Sequence, residues 1–159
     1  MFTCPLCSAT LVGDIDGCRA LFDALASKEF SDPNYFRMHR LSVDAYCLQH
    51  PEQYMVSSKS AAAHLAAMCW SMERGLSLHM PKPLKLWVDG PREYIRVLPP
   101  PFRERGNITI SDAFKATSPE DYEVIVWDWA KSAWNAWSNY WDLARSWVQE
   151  AISEYETKC

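Results

Sequence analysis

Two cysteines, Cys4 and Cys7, have the spacing with which a tight turn can present both sulfur atoms to one metal ion. Such a CxxC pair is the commonest half of a structural zinc site. A full zinc ribbon has a second CxxC pair, and this sequence has none, so the other ligands must be single residues elsewhere. We expect one zinc ion with a structural role, which holds the N-terminal segment against the helices and supplies folding free energy.

The remaining ligands follow from a predicted hairpin of two helices, 17–30 and 33–50, whose apolar residues recur at helical spacing. Because the turn between them is very short, the helices should pack antiparallel, and residues equally distant from the turn should face each other. Cys18, near the open end of the hairpin, then faces residues 45–50. The predicted metal ligands are Cys4, Cys7, Cys18 and His50, with Cys47 as the alternative fourth ligand.

Two other interpretations of these cysteines remain open. In one, Cys18 and Cys47 are small core residues and the thiols of the CxxC pair are free. In the other, Cys4 and Cys7 are a redox pair, but they precede no helix of a βαβ unit, where such pairs occur. Of the last two cysteines, Cys69 is predicted to be in the core and Cys159 to be exposed.

A second group of polar residues, His39, Asp44 and His64, could carry catalysis. The turn argument, applied to helix 33–50 and the Ala-rich helix 58–74, places His64 opposite Asp44. A hydrogen bond between them would fix the tautomer of the imidazole. The three residues are therefore candidates for a second metal site or an acid–base pair, and the alternative is that they are satisfied polar groups in a helical core.

The rest of the sequence predicts a mainly α fold in a single domain, 1–159. It consists of a four-helix body, an N-terminal zinc knuckle, a long Pro-rich irregular crossover and a long Trp-rich C-terminal helix. The predicted segments are the knuckle at 1–16, three helices at 17–75, the crossover at 76–117 and the last helix at 118–155. Within the crossover, short extended pieces are predicted at 84–88, 94–98 and 107–110.

Six of the eight tryptophans fall in this last helix. Trp127, Trp134 and Trp141 are seven residues apart, and a stripe at helical spacing is typical of a core face. The alternatives are a Trp-lined groove for a ligand and a face buried in a homodimer.

The composition and the absence of several motifs argue against some classes of function. The net charge of −4 gives no electrostatic footprint for nucleic acid, and no apolar run is long enough for a membrane helix. No secretory signal is recognisable, so we expect a cytoplasmic protein without disulfides. The sequence also lacks a Gly-rich phosphate loop, a GxSxG elbow and an HExxH motif, which argues against nucleotide hydrolysis, serine esterase chemistry and zincin proteolysis.

The stretch His39–Pro51, HRLSVDAYCLQHP, resembles the signature of a bacterial family known only as a domain of unknown function. Other shared features are CPxC, Gly17-Cys18, His64-Leu65, Glu73-Arg74-Gly75 and a C-terminal W-x-x-W helix. The resemblance implies a distinctive polar set of Cys4, Cys7, Cys18, His39, Asp44, His50 and His64, but no established activity. Relatives carry a histidine pair where this chain has Asn139-Tyr140, so a metal site that uses that pair is in doubt here.

These features predict a small zinc-stabilised helical protein that binds a ligand or protein partner. The alternative is a metal-dependent enzyme, such as a hydrolase, that uses His39, Asp44 and His64. The enzyme gains support if the three side chains converge within about 4 Å of one point beside a cavity, and loses support if they bind separate backbone partners.

Overall fold

A computed structural model describes residues 2–11 and 16–158, and this part of the chain is mainly α-helical, as predicted. The helices are α1 (Asp16–Ser31), α2 (Pro33–Phe36), α3 (His39–Gln49), α4 (Pro51–Tyr54), α5 (Ser58–Arg74), α6 (Lys82–Asp89), α7 (Ile110–Phe114), α8 (Pro119–Asn135) and α9 (Trp141–Lys158), with a 3-10 turn at Ser138–Tyr140.

The N-terminal knuckle is a small hairpin. Strands β1 (Phe2–Thr3) and β2 (Thr10–Leu11) pair antiparallel, with Thr3 opposite Thr10. The predicted knuckle also includes Met1 and residues 12–15, which lie outside the described residues, as does Cys159.

Local capping sets several helix ends. Asp32 caps α2, since its side chain accepts a hydrogen bond from the backbone N–H of Asn34 and Pro33 follows at the first helical position. Pro51 ends α3 at the residue before it and begins α4. Ser57 and Ser60 form a capping box on α5.

The predicted helix 33–50 is instead two helices, α2 and α3, and the predicted loop after it contains α4. The break falls at Arg37 and Met38. Neither residue is a helix breaker, so tertiary contacts determine it: Met38 is buried in the core, and the His39 side chain reaches Glu29 of α1.

The Pro-rich crossover is less irregular than predicted. The expected extended piece at 84–88 is part of α6, and the piece at 107–110 ends where α7 begins. Leu84 and Trp87 are three residues apart and both buried, which is a helical spacing. Two of the prolines that suggested extended structure, Pro81 and Pro83, stand at the start of α6, where a helix tolerates them. Residues 94–98 form no regular element.

The predicted last helix is also divided, into α8 and α9, so the body has more than four long helices. Trp137 leaves helical geometry at φ −102° and ψ 20°, where its indole N–H donates to Leu48 O. Ser138 and Asn139 follow, and both have low helix propensity. The turn also brings the rings of Trp134 and Trp141 into a stack with centroids 5.7 Å apart.

Helix α3 lies at the centre, between α8 and α5, while α9 packs on α5 and α6, and α1 contacts α2 and α7. Five of the tryptophans are buried, and the other three pack partly buried against the same cluster. Of the predicted heptad stripe, Trp134 is buried, while Trp127 and Trp141 are partly buried. No described helix combines the length and apolar character that crossing a bilayer requires.

Candidate functional site

The knuckle holds Cys4 and Cys7 through its backbone. The N–H of Cys4 donates to Ala9 O, and that of Ser8 donates to Cys4 O, both at 2.9 Å. Ser8 has a φ of 65°, the left-handed conformation that closes so tight a turn. The backbone N–H of Cys7 faces the sulfur of Cys4, and that of Ala9 faces the sulfur of Cys7. The turn therefore presents two sulfur atoms to one side.

Cys18 and His50 come from the two helices that face the knuckle. Cys18 lies in the first turn of α1, and His50 is the C-cap of α3. The His50 Nδ1–H donates to Tyr46 O at 2.8 Å, which leaves Nε2 free to bind a metal ion. The ring of Tyr46 stacks on the imidazole, with centroids 4.0 Å apart, and fixes its plane.

These four side chains form one compact cluster. The three Sγ atoms and a ring nitrogen of His50 all lie within 4.8 Å of one another. Cys7 Sγ is 3.6 Å from Cys18 Sγ, and Cys4 Sγ is 3.9 Å from His50 Nε2. A tetrahedron with Zn–S bonds of about 2.3 Å has edges of about 3.8 Å. The cluster could hold a metal ion with little rearrangement.

The cluster is closed to solvent, because none of its four residues is more than 2 % exposed. Its thiols also compete for protons. Cys18 and Cys7 donate to the sulfur of Cys4 and hold its pKa far below the usual range, while the hydrogen bonds of Cys18 to Cys4 and Cys7 raise the pKa of Cys18 well above it. An ionised thiol raises the pKa of its neighbours, so the thiols do not all ionise together. A divalent cation bound to the sulfur atoms would offset this repulsion between thiolates.

Cys47, the alternative ligand, lies elsewhere. It is buried one turn before His50 on α3, and its thiol contacts His64 of α5 rather than the cluster. Cys69 is buried in α5, as expected.

Asp44 and His64 lie together, 2.9 Å apart between Oδ1 and Nδ1. Asp44 is 6 % exposed. Burial alone lowers the pKa of His64, but the Asp44 carboxylate and, to a smaller extent, the Cys47 sulfur outweigh it and raise that pKa to about 10. The imidazole is therefore protonated at neutral pH.

His39 has a different partner. Its Nδ1 lies 3.0 Å from Oε1 of Glu29, which is 1 % exposed. Its ring contacts the rings of Phe30 and Phe36, with centroids 4.8 and 5.4 Å away. His39, Asp44 and His64 line one cavity of about 220 Å³, but the histidines belong to two separate carboxylate pairs. Across the described chain, the Cys4–Cys7–Cys18–His50 cluster is the one set of three or more potential metal ligands within 4.8 Å.

A profile of DUF5946, described as a family of unknown function, matches residues 2–138. The chain belongs to this family. The residues that match DUF5946 include the cysteine cluster and both histidine–carboxylate pairs. The match ends in the 3-10 turn, before α9. Neither the curated proteins nor the solved structures contain a significant match.

Sequence reasoning missed several residues that support these sites. The sequence did contain one indication for Glu29. An acidic side chain in the last turn of α1 interacts unfavourably with the helix dipole, which suggests that a tertiary contact compensates for it. Arg105, 2 % exposed, donates to Leu6 O in the knuckle, to Glu52 in α4 and to Pro100 O. Nothing local in the sequence distinguishes it from exposed arginines.

Proposed function

We propose that this DUF5946 protein is a zinc-stabilised helical protein, in which Cys4, Cys7, Cys18 and His50 bind one Zn²⁺ ion. The observation that carries the proposal is the compact cluster itself: four buried side chains of the right chemistry, with their ligand atoms within 4.8 Å. Three thiolates and an imidazole favour zinc over harder cations such as Mg²⁺ and Ca²⁺.

The role that we propose for the ion is structural. Catalytic zinc sites keep one position for water or substrate, whereas a set of four protein ligands fills a tetrahedron. The ion would join the knuckle, the start of α1 and the end of α3. Since this N-terminal segment has only two short strands of its own, the ion would supply much of the free energy that orders it.

Metal content tests this proposal. We expect one equivalent of zinc by mass spectrometry in protein purified under reducing conditions. After zinc is replaced by Co²⁺, we expect the intense visible bands of a tetrahedral site and a near-ultraviolet thiolate charge-transfer band. Reduced, folded protein that retains no zinc and gives no such Co²⁺ spectrum would contradict the proposal.

The second part of the proposal is that the protein acts by binding a ligand or protein partner. A groove of about 600 Å³ lies beside the cluster and supports this view. Its lining is mostly polar, with Ser8, Arg103, Glu104, Asn107, Thr109, Ser132 and Asn135, which suits a polar or peptide-like ligand. A reducing cytoplasm, where we place the protein, would keep the three thiols available to the metal.

Affinity capture tests the groove. Asn135→Trp should block it, while Asn34→Trp on exposed α2 is the matched control. We expect the zinc-loaded wild-type protein and the control to capture the same partner, and Asn135→Trp to lose it. Capture that is equal in all three proteins would contradict binding at this groove.

The alternative, a metal-dependent hydrolase at His39, Asp44 and His64, has one observation in its favour: each histidine is oriented by a carboxylate, as in many metal enzymes. The lack of a third nearby ligand among the described residues counts against it. Metal content also separates the two functions, because the enzyme requires a second equivalent that His39→Ala and His64→Ala would remove.

A further inference from the structure

The cavity lined by His39, Asp44 and His64 has one apolar wall and one charged wall. It lies between α3 and α5 and is closed on one side by Met80 in the loop before α6. Its apolar wall consists of Val43, Ala63, Ala67 and Met80. Its charged wall brings together Arg40, Asp44 and the two histidines. A volume of about 220 Å³ corresponds to about seven water-sized volumes of roughly 30 Å³ each.

Arg40 is the anomaly in this cavity. Its Nη1 is anchored by backbone, since it donates to Ser77 O at 3.3 Å and to His79 O at 3.1 Å. Its Nη2 is buried and has no hydrogen-bond partner. Among the described side chains, no carboxylate lies within ion-pair distance of the guanidinium; burial lowers the pKa of Arg40, and the charge of Asp44 opposes this only in part. Asp44 is already paired with His64, and one carboxylate cannot neutralise two cations, so an anion beside Arg40 would offset part of the cost of its burial.

His64 adds a second positive charge to the same wall. Its Nδ1 is hydrogen-bonded to Asp44, and the thiol of Cys47 also contacts the imidazole. Asp44 keeps the imidazole protonated at neutral pH. The cavity therefore combines two cationic groups, one carboxylate that is paired with His64, and an apolar wall.

We propose that this cavity binds a small organic anion, a monocarboxylate with a short aliphatic chain. The carboxylate lies beside Arg40 and His64, and the chain packs against Val43, Ala67 and Met80. Inorganic phosphate would satisfy the cations but leave the apolar wall uncovered, while a neutral alcohol would do the reverse. The site is separate from the cysteine cluster and does not depend on the zinc proposal.

Calorimetric titration of the purified full chain tests this inference, with sodium hexanoate as the probe. The two comparison ligands are 1-hexanol, which has the same chain without the charge, and inorganic phosphate, which has charge without the chain. We expect hexanoate to bind at least about tenfold more tightly than either, the effect of one hydrogen bond to a charged group. Hexanoate that does not bind, or that binds no better than hexanol or phosphate, overturns the proposal.

Two further measurements locate the site. Methyl NMR should show hexanoate-dependent shifts at Ala63, Ala67 and Met80, and shifts confined to other methyl groups overturn the assignment. Arg40→Gln should weaken hexanoate binding by about tenfold, while Arg37→Gln, which removes an exposed arginine paired with Glu123, should not. If Arg40→Gln retains wild-type affinity, the proposal is wrong; if it does not fold, the wild-type titrations and NMR decide.

Discussion

The phenol of Tyr122 in α8 donates a 2.8 Å hydrogen bond to the buried carboxylate of Glu29 in α1, across 93 positions of sequence. The same carboxylate oxygen accepts from Ser42 Oγ in α3, also at 2.8 Å, and the other oxygen faces His39 Nδ1. One acid therefore links three helices and orients a histidine of the cavity. Burial and this carboxylate raise the pKa of Tyr122, so its hydroxyl remains a donor across the physiological range.

We expect Tyr122→Phe to lower the free energy of unfolding by about 1–3 kcal/mol, because it leaves a buried carboxylate with one donor fewer. Urea unfolding monitored by tryptophan fluorescence measures the loss. Tyr155→Phe, on the partly exposed face of α9, is the control and should change stability by only a few tenths of a kcal/mol. Equal effects of the two substitutions would show that Glu29 does not depend on this donor.

The Asp44–His64 pair predicts a pH dependence of stability. The pKa of His64 is raised from 6.5 to about 10 in the folded protein, so the folded state binds more protons than the unfolded state between these values. The contribution of the pair is complete below pH 6.5 and is lost as the pH rises toward 10, by up to about 1.4 kcal/mol per pH unit.

Urea unfolding at intervals from pH 6 to pH 10 measures this decline. The difference between the wild-type protein and His64→Gln isolates it from the ionisation of other groups, and His79→Gln, in the loop after α5, is the matched control. A His64→Gln curve that runs parallel to the wild-type curve would rule out the raised pKa.

If the cluster binds zinc as proposed, Cys18→Ser should abolish zinc binding and destabilise the protein by an amount on the order of several kcal/mol, because the ion would order the knuckle against the helices. Cys69→Ser removes a buried thiol of α5 that is remote from the cluster and should leave the metal content unchanged. Metal analysis and thermal unfolding of both variants provide the test. A Cys18→Ser protein that keeps its zinc would exclude this residue as a ligand.

Trp137→Ala should cost about 3–5 kcal/mol, since it empties a fully buried site and removes the hydrogen bond from the indole to Leu48 O. Trp127→Ala, which truncates a partly buried ring on α8, should cost about 1 kcal/mol. Denaturant unfolding of the two variants compares them. A loss of only a few tenths at Trp137 would contradict its place in the core.

The features that could be predicted from the sequence are those that depend on residues close together in the chain or on either side of a short turn. The CxxC spacing and the short turn before α2 are enough to nominate Cys18 and His50 as neighbours of Cys4 and Cys7, because antiparallel helices fix which residues face each other. The pairing of Asp44 with His64 follows from the same geometry. The caps at Asp32, Ser57 and Ser118 are also local and can be read directly.

Long-range packing decides the rest, and no local pattern encodes it. The heptad stripe continues through residues 136–140, yet Trp137 leaves the helix to reach Leu48. The partner of His39 is Glu29 of α1, ten positions earlier in the sequence. The two residues are not equally distant from the turn between their helices, so the hairpin argument does not pair them. The roles of Gln49 and Arg105, whose bonds tie α3 to the crossover and the knuckle, appear only once those segments are folded together.

The order in which the chain is made gives the position of the cysteine cluster a further meaning. All four of its residues lie between positions 4 and 50, before the sequence of α5, α8 and α9 has been translated. A metal ion that binds them can therefore close a loop in the nascent chain while most of the eventual core is still unsynthesised. If the cluster binds zinc as proposed, metal present during translation would order the N-terminal segment before α8 and α9 are made.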